Sequence, residues 1–239
     1  MRTFVLVGHP LTHSFSSRYF HEKFRNNKVE AQYINLDLKD ISKIRETIIT
    51  QEISGLNVTI PYKEAIIPYL DNLSSRAEKI GAVNCIEVLD EKLIGHNTDV
   101  IGFRTSLERF IQNAKVSNAL VFGNGGSSKA VTYALKDLGI SFSVVSRSGS
   151  LNYEALTSKH IKQTDLMVNT TPLGMFPDNE KCVEIPYTSI GKNHFAFDLV
   201  YNPSETLFLK RVSQQGGMTK NGLEMLEIQA EESWAIWNS

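Results

Sequence analysis

Ala119-Leu120-Val121-Phe122-Gly123-Asn124-Gly125-Gly126-Ser127-Ser128-Lys129 decides the fold. A short apolar run enters a glycine-rich turn and leaves it as a helical pattern reaching residue 138, in the order strand, turn, helix. Glycine at 123 permits a tight turn, and glycine at 125 lets the backbone come close to a pyrophosphate. The helix amino terminus adds N–H groups without intrahelical partners and the positive end of a dipole. Ser128 stands where this pattern usually has Gly or Ala, so looser packing of helix on strand is expected. A purely structural glycine turn is the alternative. The strand before the turn and the helix after it favour a dinucleotide site on Gly123, Asn124, Gly125, Gly126 and Ser127.

Downstream, a strand over residues 142–146 completes a βαβ unit. It ends in Ser146-Arg147-Ser148, where NAD-binding chains usually carry an acid for the ribose hydroxyls. A cation flanked by two hydroxyls suits a 2′-phosphate and favours NADP over NAD; a solvated loop arginine is the alternative. Further strands are expected at 166–169 and 195–199. Each is followed by a loop rich in Pro, Gly, Asn or Thr, so polar groups gather at strand carboxyl ends, where α/β ligands bind.

Upstream, the same alternation continues. Strands are expected at 4–8, 31–37, 55–58, 82–89 and 92–96, with helices at 16–26, 41–50 and 74–80. A hairpin turning at Glu91-Lys92 makes this second sheet mixed rather than wholly parallel. A helical pattern with Ile101, Leu107, Phe110 and Ile111 separates the two series, and the domain boundary is placed within it, near residues 100–115.

The upstream series carries Asn57-Val58-Thr59-Ile60-Pro61-Tyr62-Lys63, then Asn84 and Asp99. A lysine, a carboxylate, a hydroxyl and side-chain amides suit a small, heavily oxygenated molecule, and Pro61 ends the extended segment and fixes the turn that aims Lys63. An ordinary solvated lysine at a strand end is the alternative.

Composition narrows the partners. With 25 basic and 26 acidic side chains among 239 residues, and no lysine or arginine stripe, neither a nucleic acid nor an anionic membrane is expected. A small-molecule partner follows. The apolar run after Met1 is too short for a signal sequence, and Cys85 and Cys182 have no disulfide spacing, so a cytoplasmic, reducing setting is expected. His9 and His13, the closest of six histidines, bracket Pro10 in a loop rather than facing one another along a helix, so no metal is expected.

Taken together, the motifs resemble the shikimate dehydrogenase family over nearly the whole chain. Gly8-His9-Pro10 with His13-Ser14-Phe15-Ser16 resembles its amino-terminal serine motif, although Ser17 replaces a proline. Asn57 to Lys63 is similar to N-V-T-x-P-x-K, Gly81-Ala82-Val83-Asn84 to G-A-V-N, and Gly95 to Gly102 to G-x-N-T-D-x-x-G. Asn169-Thr170-Thr171-Pro172-Leu173-Gly174-Met175 resembles the loop beside the nicotinamide. Asp198 to Thr206 resembles D-x-x-Y-x-P-x-x-T, and Asn221 to Ala230 resembles the closing N/D-G-x-x-M-L-x-x-Q-A helix.

The resemblance implies two α/β domains with an active-site cleft between them. A mixed-sheet substrate domain takes residues 1–100 with 223–239, and a Rossmann-like NADP-binding domain takes 101–222. It implies NADP-dependent reduction of 3-dehydroshikimate to shikimate in aromatic amino acid biosynthesis, by a monomer or homodimer. The implied catalytic residues are Lys63 and Asp99. Ser14 and Ser16 would hold the substrate carboxylate, and Thr59, Asn84, Tyr201 and Gln229 would complete the substrate contacts. Cofactor contacts are implied at the glycine turn, at Ser146, Arg147 and Ser148, and at Thr170, Pro172, Met175, Leu199 and Gly222.

Two departures stand out. Cys85 replaces the usual threonine, and the cofactor motif lacks asparagine at 146 and a second cation beyond Arg147. A quinate-type relative with relaxed NAD/NADP use, and a non-catalytic ligand sensor of the same fold, are the remaining readings. In the terminal helix, the pattern predicts a core stripe of Leu223, Leu226, Ala230, Trp234 and Trp237.

Overall fold

The run Phe4-Val5-Leu6-Val7 is buried along its whole length, as a central strand covered on both faces must be. It belongs to β1 (Arg2–Gly8) in a computed structural model that describes residues 1–11 and 14–239. His13, one of the two histidines weighed as a metal pair, lies outside the described residues. Among those described, no cluster of His, Cys, Asp and Glu could hold a metal, and no helix is long and apolar enough to cross a membrane.

The chain forms two compact units, Met1–Thr98 with Ala230–Ser239, and Asp99–Gln229. In the first, α1 (Phe15–Asn27) follows β1 and is started by Ser14, whose Oγ accepts the Ser17 N–H at 3.0 Å. Phe20 and Phe24, one turn apart, are its buried face, and Phe20 stacks on Tyr33 of β2 (Ala31–Asp37) at 4.6 Å. Then come α2 (Ile44–Thr50), β3 (Ile53–Val58), α3 (Tyr62–Ala65), β4 (Asn72–Leu73), α4 (Ser75–Ile80), β5 (Cys85–Leu89) and β6 (Lys92–His96). The sheet order is β2-β1-β3-β5-β6-β4, with β5 antiparallel to both neighbours. The expected mixed sheet is therefore present.

Because β1 leads first to β2 on one side and then to β3 on the other, the strand order reverses between β1 and β3. Their carboxyl ends are Gly8 and Val58, the start of the two upstream motifs.

The second unit opens with α5 (Asp99–Ile111), then β7 (Asn118–Phe122), α6 (Gly126–Asp137), β8 (Ser141–Val145), α7 (Ser158–Lys162), β9 (Leu166–Asn169), β10 (Phe195–Asp198), α8 (Leu207–Gln214) and β11 (Met218–Lys220). Its sheet, β11-β10-β9-β7-β8, is wholly parallel. The order reverses between β7 and β9, so Phe122 and Asn169 end at the crevice where a doubly wound sheet binds its ligand. Helix α9 (Leu223–Ile236) starts in this unit and ends in the first. Glu224 in its first turn accepts from Ser106 (2.8 Å), Arg109 (2.9 Å) and Lys220 (2.7 Å). Burial works against that charge, but the hydrogen bonds from Lys220, Arg109 and Ser106 outweigh it and hold the carboxyl at about 2.

Two local expectations are corrected. The hairpin turns at Asp90-Glu91, one residue earlier than read, with φ of 48° and 63° and with Leu89 paired to Lys92. Two successive left-handed residues make the type I′ turn that matches strand twist. In α9, Leu223 is 37% exposed, whereas Met225, Gln229, Ala230 and Ser233 are buried, as is Trp237 just past its end. The inner face thus carries polar groups at 229 and 233, and a hydrophobic periodicity passes over them.

Candidate functional site

In the first unit the motif residues form one buried polar chain. Tyr33 Oη donates to Asn57 Oδ1 at 2.9 Å, and Asn57 Nδ2 donates to Ser233 Oγ at 2.9 Å and to the Asn84 carbonyl at 3.2 Å. Ser233 Oγ lies 3.3 Å from Thr98 Oγ1, which accepts from Asn84 Nδ2 at 2.9 Å. The Thr98 N–H returns to Asn84 Oδ1 at 2.7 Å. Buried polar atoms this far from water need such partners, and among the described residues no buried side-chain nitrogen or oxygen is left without one.

Ser16 lies at the other end of the chain, buried and bonded to the Tyr33 hydroxyl; burial raises that phenol well above its ordinary pKa. Ser14 gives its hydroxyl proton to Asn35 Oδ1 at 2.7 Å while capping α1. For either serine to hold a carboxylate, the hydroxyl proton must rotate from its present acceptor to the ligand, which a Ser hydroxyl does freely.

Thr59 and Lys63 are half-buried just beyond β3. The Thr59 N–H bonds to the Val7 carbonyl at 2.9 Å, and Lys63 accepts the Val83 N–H on its carbonyl at 2.7 Å. That second bond joins the lysine segment to the G-A-V-N segment one residue before Asn84. A Cβ on Gly8 would fall 2.6 Å from Thr59 Cγ2, so the two strand ends approach as closely as glycine allows. Ser14, Ser16, Thr59, Lys63 and Asn84 therefore all belong to the first unit, around the carboxyl ends of β1 and β3 and the strand next to them. Cys85 is fully buried; burial drives its thiol to about 12 although Ser233 and Trp237 hydrogen-bond to it. It packs as a small apolar group rather than as a nucleophile.

Asp99, Tyr201 and Gln229 fall in the second unit. Asp99 is buried and opens α5, where a negative side chain is favoured by the helix dipole. Gln229 is buried and its Nε2 donates to the Leu226 carbonyl at 2.9 Å. Tyr201 is half-buried in the loop after β10.

The dinucleotide half is built on β7 and β9. Gly123 has φ of +105°, and a Cβ there would lie 2.7 Å from Thr170 Oγ1. Thr170 in turn donates both N–H (2.9 Å) and hydroxyl (2.7 Å) to the Phe122 carbonyl, lacing the two strand ends at the crevice. Gly125 is the N-cap of α6, and the space where its Cβ would stand is open for 4 Å. Asn124 is exposed beside it, and Gly126 and Ser127 are half-buried in the first turn of α6. An open glycine face at a helix amino terminus fits a pyrophosphate. Ser128 is 3% exposed and tucked under the helix, so the serine is accommodated inside the packing.

After β8, Arg147 and Ser148 are exposed, whereas Ser146 is buried with its N–H on the Leu151 carbonyl at 3.1 Å. A Cβ on Gly149 would lie 2.6 Å from Ser146 Oγ. Of the three, Ser146 is thus the one turned into the loop, and Arg147 and Ser148 are the groups presented to solvent. Pro172 is exposed, and Met175 (44%) beside Phe176 (63%) leaves bare apolar surface on the loop after β9. Leu199 follows β10, and at Gly222 a Cβ would collide with the Leu199 carbonyl oxygen at 2.1 Å.

Sequence reasoning quoted Asn57 and Asp198 as motif positions without giving either a role of its own, and passed over Ser233. Asp198 is wholly buried, and burial pushes its carboxyl up to about 7 against hydrogen bonds from Thr206, Val200 and Asn169. A charged residue ending an apolar strand was the available signal.

Residues 6–86 match the family model described as the shikimate dehydrogenase substrate binding domain. The shikimate dehydrogenase (NADP(+)) of Pelagibacter ubique is 37% identical over 251 residues, covering 99% of this chain and 93% of that protein. Shikimate dehydrogenase 1 from Peptoclostridium difficile superposes with a TM-score of 0.89 at 37% identity, over 100% of this chain and 92% of that one. Shikimate 5-dehydrogenase from Thermus thermophilus, in complex with NADP(H) and shikimate, gives 0.87 at 29% identity, over 99% and 93% of the two chains. With near-complete coverage at such identity, this chain belongs to the shikimate dehydrogenase family.

Proposed function

We propose that the protein catalyses the NADP-dependent, reversible reduction of 3-dehydroshikimate to shikimate, a step of aromatic amino acid biosynthesis. The observation that carries this reading is the placement of two motif sets at two strand-order reversals. Polar side chains suited to a polyhydroxy acid gather around β1 and β3, and an open glycine turn stands at β7 and β9. The activity carried by the names of the relatives agrees with both.

Bound NADPH supplies the hydride. Ser14 and Ser16 hold the substrate carboxylate, while Thr59, Asn84, Tyr201 and Gln229 take its hydroxyls and fix the face presented for reduction. Lys63 donates a proton to the oxygen on the carbon being reduced, and its positive charge favours the alkoxide character that develops there. Asp99 orients the lysine and a substrate hydroxyl; the proton is a property of the pair. On the cofactor side, Gly123 to Ser127 cradle the pyrophosphate, and Arg147 with Ser148 meets the 2′-phosphate. Thr170, Pro172, Met175, Leu199 and Gly222 line the nicotinamide end.

The test is a turnover matrix of shikimate and quinate, each with NADP⁺ and NAD⁺. The highest kcat/KM is expected for shikimate with NADP⁺. A higher value for quinate or for NAD⁺ replaces this reading with the quinate-type one.

A further inference from the structure

Asp198 ends β10, and no part of it reaches solvent. Donors from three segments converge on it. The Asn169 side-chain amide at the end of β9 reaches Oδ1 at 2.9 Å, as does the Val200 N–H at 3.0 Å, and the Thr206 hydroxyl that caps α8 reaches Oδ2 at 2.6 Å.

Asn169 carries this hold forward. Its Oδ1 accepts the Thr171 N–H at 3.1 Å and the Thr171 hydroxyl at 2.7 Å, and Thr171 Oγ1 accepts the Leu173 N–H at 3.3 Å. The bend at 170–173 is thus moulded on Asn169, and Asn169 is fixed by Asp198. The second loop is tied in as well: the Leu199 N–H bonds to the Asn169 carbonyl at 3.0 Å, and the Phe176 N–H to the Asn202 carbonyl at 3.1 Å. Burying an ionisable group costs stability unless its partners compensate. A carboxyl group is nevertheless a side chain of this size that meets partners through an oxygen at both ends, and here the Asn169 amide and the Val200 N–H share Oδ1 while the Thr206 hydroxyl meets Oδ2.

We propose that Asp198 is a positioning residue for the cofactor: its carboxylate sets the two loops that carry Thr170, Pro172, Met175 and Leu199, and so fixes affinity for the dinucleotide. This rests on reading those loops as cofactor contacts.

The test measures NADPH and shikimate dissociation constants separately, by fluorescence titration and calorimetry, for wild type, Asp198→Ala, Asp198→Asn, Asn169→Ala and the double alanine variant. Asp198→Ala is expected to weaken NADPH about tenfold or more, and shikimate, which meets this loop only through Tyr201, by about threefold or less. Asp198→Asn keeps Oδ1 and its two donors, so it is expected within about threefold of wild type. The double variant is expected to be no worse than the poorer single one. A folded Asp198→Ala with unchanged NADPH affinity, or with equal losses for both ligands, overturns the proposal. Should Asp198→Ala not fold, Asn169→Ala decides, since the same NADPH-specific loss is expected and an unchanged constant overturns it. A wild-type protein that does not bind NADPH removes the cofactor reading and the proposal together; normal wild-type binding with an unaffected variant removes the proposal alone.

Discussion

Asn84 grips Thr98 from two sides, donating Nδ2 to the threonine hydroxyl at 2.9 Å and accepting the threonine N–H on Oδ1 at 2.7 Å. Both residues are buried, and Asp99 is the next residue in the chain. The G-A-V-N motif is therefore clasped to the threonine of the N-T-D motif, the residue directly before Asp99 in the chain.

Thr98→Val keeps the side-chain shape and deletes the hydroxyl, withdrawing a partner from Asn84 and from Ser233. Unfolding free energy should fall by about 1–3 kcal/mol, and KM for shikimate should rise several-fold. Urea denaturation and steady-state kinetics check the two effects; wild-type values in both would mean that the clasp does not position the site.

Two glycines in the cofactor half should respond in opposite ways. Gly222→Ala forces a methyl group against the Leu199 carbonyl, whose backbone atoms cannot swing aside as a side chain would, and should cost about 2 kcal/mol or more. Gly125→Ala enters open space, so its stability should stay within about 1 kcal/mol of wild type, the difference being that between N-cap residues. Its KM for NADPH should nonetheless rise at least about tenfold, because the methyl occupies the pyrophosphate face. A Gly125→Ala enzyme with native KM would place the cofactor elsewhere.

If Arg147 meets the 2′-phosphate as proposed, Arg147→Ala should raise KM for NADPH far more than for NADH, because that phosphate is the one group that separates them. Arg147 is exposed and Ser146 is turned inward, so Ser146→Ala should discriminate less between the cofactors. Equal effects of Arg147→Ala on both cofactors would remove the 2′-phosphate role.

How far the sequence carried the reading varied by element. The 166–169 strand and the βαβ order were legible because short apolar runs are bounded by turn residues, and the 31–37 strand because Tyr33, Ile34 and Leu36 are interleaved with polar residues over seven positions. The two-residue β4 and three-residue β11 were not, because neither is long enough to show a period. Helix α8 did carry a signal in Thr206 as N-cap before Phe208, Leu209 and Val212, and it was missed. The motif residues at the strand ends were readable by type and order. Their connections through Tyr33, Asn57 and Ser233 were not, because Ser233 is 176 residues from the asparagine it bonds. Hydrogen bonds of that span are set by tertiary packing alone.

Asp198 gives stability a pH dependence with a defined sign. Its carboxyl is raised by burial from 3.8 to about 7, so in that window the folded protein holds a proton that the unfolded chain has lost. Its contribution is complete below about 3.8, is lost as pH rises toward about 7, and is flat above, with a span of at most about 4 kcal/mol. Asp198→Asn lacks the titration. Wild type should therefore lose stability relative to Asp198→Asn between pH 5 and pH 8 in paired urea melts. Parallel curves would mean that the three donors hold the carboxylate ionised throughout.

The most direct measurement is the initial rate of NADPH absorbance on mixing the protein with saturating shikimate and NADP⁺, run side by side with Lys63→Ala. Steady NADPH formation by the wild type is expected, with kcat lowered by about two to four orders of magnitude in Lys63→Ala and a smaller change in KM. A wild-type protein that forms no NADPH, or a Lys63→Ala variant with near-native kcat, would contradict the assignment of this chain as a shikimate dehydrogenase that works through Lys63.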